Sequence, residues 1–337
     1  MRILTVGIIL ATLTLPAQAE VIKIPDQSGF SGFLSAGVKY AELASNTVAG
    51  NKSDKLSRDV ITSLDAPDSK DTGGVSFNFD LRYTLAEHRT QFFLGTLIQD
   101  ALRFDFSTQL GVRREFGDKG IVAASYLFST FPAEVYADPF LTGSPRQKSE
   151  LDSSGVRLSW EDIMGSGFAA SISARDQDLD SELSGQSVGG LTAAERRSLD
   201  RNGDLTTIEL SYNWVIAKGQ LLTPAIIHRS YDLDGDSVSR DGTLLQLTYA
   251  YRTQNYSFLT NLLVGQYDYD AGNPVFGGQK GDSDELGISA TFFLHRLADI
   301  ESLTGYASVA YFDSDSDIDF YDQDANTASV GVIWRFN

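Results

Sequence analysis

Charged residues recur two apart along this chain, as Asp80 with Arg82 and Arg113 with Glu115. Arg157, Arg175, Glu209, Arg252 and Arg335 fall on the polar phase of comparable alternating segments. In extended chain, residues two apart share a face, so these charges would line one wall. Their chemistry is then a fixed field that sorts small solutes by sign as they pass. Alternatively, Asp80, Asp105, Glu115 and Glu209 pair with the arginines and simply order that wall.

Two aspartate runs suggest a second chemistry. Asp313, Asp315 and Asp317 alternate with other residues, continuing to Asp319, and Asp232, Asp234 and Asp236 form a separate group. Oxygen-rich segments bind calcium, but neither run has the glycine and glutamate placement of an EF-hand. Solvated acidic loops are the plainer reading. A third chemistry would need a histidine beside a carboxylate. His88 and His295 fall in short connections, whereas His228 lies near Asp232 and Asp234, where a pair could activate water for hydrolysis. A rim histidine without chemistry is the simpler expectation, so the chain reads as a non-enzyme.

These side chains need strands to carry them. From Gly74 to Tyr83, Val75, Phe77, Phe79, Leu81 and Tyr83 alternate strictly with Ser76, Asn78, Asp80 and Arg82. The pattern recurs as far as Ala328, Val330, Val332, Trp334 and Phe336. Fourteen such strands are expected, near 30–40, 74–84, 90–98, 103–115, 121–130, 152–160, 167–177, 204–214, 220–231, 242–252, 256–267, 283–294, 302–312 and 327–336. Short connections alternate with long acidic ones, except for a tight link at 99–102. Tyr83, Phe128, Trp160, Tyr212, Trp214, Tyr249, Tyr251, Phe292 and Trp334 fall near strand ends, where interfacial girdles sit. The predicted fold is all-β: a transmembrane antiparallel up-and-down β-barrel of about 14 strands, with long acidic outer loops and short periplasmic turns.

Residues 1–19 read as a cleaved signal peptide, with Arg2, an apolar run and Ala17-Gln18-Ala19, leaving 20–337 as one barrel domain. No cysteine is present, so disulfides and thiolate chemistry are excluded, and no cofactor motif appears. With 45 acidic against 27 basic residues, nucleic acid is an unfavoured partner. Within the Leu191–Leu199 segment, Thr192 and Glu195 form a capping box ahead of a short helix, expected on the surface rather than in the pore mouth.

Ser28-Gly-Phe-Ser-Gly-Phe-Leu, with Ser45-Asn46 to Asn51 and the closing Ser329-Val-Gly-Val-Ile-Trp-Arg-Phe, resembles a family of secreted Gram-negative proteins, many from marine bacteria. That family is known only as a domain of unknown function, so the resemblance implies no activity. The expected setting is the outer membrane, among lipid and lipopolysaccharide, reached with the barrel-assembly machinery. The expected role is porin-like, passive or weakly selective passage of small hydrophilic solutes, anions slightly preferred. The alternative is a non-conducting structural, adhesive or receptor barrel displaying acidic loops, and a soluble periplasmic β-protein is the remaining one.

Overall fold

The computed structural model describes residues 23–50, 56, 58–96, 107–129 and 132–337. The leader expected at 1–19, the link at 99–102 and Asp105 lie outside them. Among the described residues, fourteen antiparallel strands form one ring. They are β1 Gly29–Ala44, β2 Ser69–Leu85, β3 Thr90–Thr96, β4 Thr108–Glu115, β5 Ile121–Phe128, β6 Lys148–Glu161 and β7 Phe168–Leu179. The rest are β8 Gly203–Tyr212, β9 Gln220–Leu233, β10 Arg240–Arg252, β11 Tyr256–Tyr269, β12 Ser283–His295, β13 Leu303–Ser316 and β14 Gln323–Phe336. Each pairs with its sequence neighbours. The ring closes where β1 pairs with β14, from Gly32 opposite Phe336 to Ala44 opposite Asp324.

All fourteen strands fall where the alternation places them, but several run further. β2 begins at Ser69 and pairs with β1 up to Ala44. β13 continues to Ser316 and β14 starts at Gln323, so the expected long acidic loop there shrinks to residues 317–322. Antiparallel pairing continues as long as each backbone group finds a partner, and soluble side chains do not stop it. Asp313, Asp315 and Asp324 are therefore strand residues, while Asp317, Asp319 and Asp322 remain in the connection.

The outward phase is apolar around the ring. Val75 is 79% exposed, Val156 57% and Val309 56%, with Phe77, Leu110, Leu158, Leu245 and Val330 equally bare. A water-facing surface does not carry such a continuous band. It is the face that a membrane barrel turns to lipid, which disposes of the soluble alternative. Aromatic pairs gather outside at the short-turn end: Phe30 with Tyr83 at 4.7 Å, Phe168 with Tyr212 at 4.8 Å and Trp334 with Phe336 at 5.4 Å between ring centroids. No helix among the described residues is long and apolar enough to cross a membrane; the strands do the crossing.

Candidate functional site: the barrel interior

Strict alternation would give a polar lumen all round, and the interior departs from it. On the β9–β14 and β1 side, many inward residues are apolar and fully covered. Ile227, Leu244, Leu263, Phe293 and Ile333 have no exposed surface, and Phe33, Leu259, Tyr306 and Phe312 join the same cluster. Tyr306 reaches across to Ser76, hydroxyl to hydroxyl at 3.0 Å. This half is a packed core. On the β4–β8 side and into β10, many inward residues are polar and partly exposed, among them Gln109, Ser125, Arg157, Ser171, Glu209, Gln246 and Thr248, although Ile121, Leu127 and Leu205 are buried there. Arg157 Nη2 donates to Ser171 Oγ at 3.1 Å, and Thr248 Oγ1 donates to Asn261 at 2.6 Å.

Asp80, Arg82, Arg113, Glu115, Arg157, Arg175, Glu209, Arg252 and Arg335 all face inward, and most stand at the end with the short turns. Asp80 and Arg82 form an ion pair on β2. Arg113 donates twice to Gln91, which in turn donates to Thr84 at 2.7 Å. Glu115 is bonded by Arg89 from the β2–β3 turn, and Arg89 also holds Asp26 at 2.6 Å. That second bond fastens the segment before β1 to the rim, and Ile24 beside it is 1% exposed. Arg175 lies nearer the loop end and donates to Ser107 at 2.7 Å. Arg252 and Arg335 lie at the turn end of β10 and β14. Here the pairing alternative holds on one wall: Asp80 and Glu115 do meet arginines.

The other candidates do not assemble. Asp313 and Asp315 point outward from β13, opposite Asp324 on β14 and Asp284 on β12. Asp232 ends β9 opposite Asp204, while Asp234, Asp236 and Asp317 lie in connections. Among the described residues no three metal-ligating side chains gather within reach of one ion. Alternation separates strand neighbours to opposite faces, so a run of aspartates at spacing two becomes a ladder rather than a cage. His228 also faces outward, between Ile208 and Thr243, and makes no bond to Asp232 or Asp234 among the described residues. The sequence does not bring a histidine–carboxylate pair together there.

The loop end is bound into one body. Phe140, Leu199, Ile318 and Phe320 come from three different connections and are buried together, with Ile61, Leu64 and Phe276 against them from two more. Phe140 and Phe320 stack at 5.3 Å, and Phe276 meets Phe320 at 5.5 Å. Connections rooted on opposite sides of the ring can meet only over its mouth. The helix Ala193–Arg197 lies on the outside of this crown, as expected. Its capping box is formed, with Thr192 Oγ1 accepting from Glu195 N at 3.2 Å and Thr192 N donating to the Glu195 carboxylate at 2.7 Å. Leu191 and Leu199 flank it and turn into the cluster.

The fold and this half-packed interior define a membrane-spanning β-barrel. The chain belongs to the family described as a protein of unknown function, DUF2860, which matches residues 29–335. No curated protein sequence matches it. Solved barrels that resemble it include OmpT, an outer membrane protein of Vibrio cholerae, at 12% identity over 94% of this chain and 100% of that one, with a TM-score of 0.42. An anion-selective porin from Comamonas acidovorans is 12% identical over 92% and 99%, at a TM-score of 0.40. The CymD monoaromatic hydrocarbon channel is 11% identical over 92% and 89%, at 0.46. Likeness this distant bears on neither solute nor activity.

Proposed function

We propose that this chain is an outer-membrane channel of a Gram-negative cell that passes small hydrophilic solutes along the polar side of its interior, anions preferred. The observation that carries this reading is the segregation inside the ring: Arg157, Ser171, Glu209, Gln246 and Thr248 keep partial exposure while the facing half is packed solid. A barrel with no path has no reason to leave one wall wet and charged. In this setting the turn end faces the periplasm, the outward apolar band meets lipid, and lipopolysaccharide surrounds the loop crown. Export through the leader and insertion by the barrel-assembly machinery belong to the same reading.

Single-channel recording of the refolded protein in a planar bilayer tests it. Discrete conductance steps are expected, with a reversal potential under a salt gradient that marks anion preference. Arg157→Glu should move that potential toward cation preference, because the reversed charge sits on the wetted wall. Absence of steps from protein shown to be folded would reject the channel.

The buried crown of Phe140, Leu199, Ile318 and Phe320 favours a second reading, a non-conducting barrel that displays its loops as a receptor or adhesive surface. Silence in the bilayer would select it.

A further inference from the structure

At the turn end, five neighbouring strands each turn one polar side chain inward. These are Arg252 on β10, Ser257 on β11, His295 on β12, Thr304 on β13 and Arg335 on β14. Register fixes their adjacency: Arg252 lies opposite Ser257, and His295 opposite Thr304. Ser257 Oγ and His295 Nε2 are 2.6 Å apart, and Arg335 Nη1 donates to Thr304 Oγ1. The next inward residues on β11, β12 and β14 are Leu259, Phe293 and Ile333, all buried, so the arc sits beneath a dry ceiling.

The charges in this arc are of one sign. Arg252, Arg335 and His295 are all basic, and the strand register with the Ser257–His295 and Arg335–Thr304 bonds draws them into one row. Arg335 Nη2 is buried and has no hydrogen-bond partner among the described residues. The opposite wall is built differently, with Arg82 on Asp80 and Arg89 on Glu115 and Asp26. A buried guanidinium donor held beside a second guanidinium, away from bulk water, is costly unless an acceptor of opposite charge completes it.

We propose that this arc is a binding site for an oxyanion, a carboxylate or phosphate group that enters from the turn end. The free Nη2 of Arg335 supplies the directed donor, Arg252 supplies a second positive charge, and His295 with the two hydroxyls completes the polar rim. The site goes beyond conduction, since it can fill whether or not solutes cross the barrel.

Thermal unfolding of the refolded full chain, titrated with inorganic phosphate and separately with sodium acetate at constant ionic strength, tests the site. A saturable rise in melting temperature with at least one of the two ions is expected. Arg335→Gln should weaken the apparent affinity by a factor of about ten or more, the worth of a lost charged hydrogen bond. Lys119→Gln, in a turn away from the arc, should leave it unchanged. Because Arg335 lies in the strand that closes the ring, Arg252→Gln is the second variant, with the same loss expected. No shift with either ion, a shift that follows ionic strength alone, or affinity kept in the arginine variant that folds would overturn the proposal.

Discussion

Arg201 shows how single residues hold the loop end together. Its guanidinium binds Glu182 at 2.8 Å through Nε and donates from Nη2 to the carbonyls of Tyr136 and Ala137, joining two connections. Arg201→Ala would strand a largely buried Glu182 carboxylate and two carbonyls, at about 3–5 kcal/mol of local stability. Limited proteolysis should then cut residues 180–202 far faster, with the barrel strands intact. The crown also carries carboxyls that resist ionising. Asp200 is held above the usual carboxylate range by burial, then by Glu182 and Asp234. Asp322 is raised in the same direction by burial, then by Asp315, Asp319 and Asp313. A carboxyl raised in the folded state binds its proton more tightly than in the unfolded chain. Its stabilising share is therefore complete below about pH 4 and is lost as pH climbs through the raised value. Hydrogen exchange of loop amides, corrected for intrinsic rates, should show stronger protection at pH 5 than at pH 7.

At the scale of elements, strand positions were legible because period-two alternation needs no tertiary context. The inward direction of Asp80, Arg82, Arg113 and Arg157 followed from the same parity. What parity alone hid was the packed half of the interior, although a signal for it was present. Ile226-Ile227, Leu244-Leu245, Leu262-Leu263, Phe292-Phe293 and Val332-Ile333 are apolar doublets, each sending one side chain to lipid and the next inside. These lie on β9 to β14, the side that is filled, and β2 in its regular stretch has none, although Ile121-Val122 on β5 repeats the pattern. The aspartate runs misled for a related reason: acidic composition suggests a loop, yet pairing between strands carries β13 and β14 through it. The crown was not legible, since Phe140, Leu199 and Phe320 come together only after the ring closes. Phe320→Ala should cost about 3–5 kcal/mol within that cluster, the range for a large buried aromatic. In bilayer recordings the variant should give larger or noisier conductance than the parent chain; an unchanged trace would mean that the crown does not restrict the path.

For the molecule as a whole, the ring is finished by joining its most distant parts. β1 is made first and β14 last, yet they lie side by side over thirteen paired positions, from Gly32 with Phe336 to Ala44 with Asp324. Loop-closure entropy sets against that contact until every strand between is in place. Before closure, one side of Gly29–Ala44 stays an unsatisfied row of backbone donors and acceptors. Time is then the hazard rather than stability: any extended segment that arrives before β14 can take its place. Once the two ends meet, that vulnerability ends at a single step, and the chain keeps no free edge from which to fray.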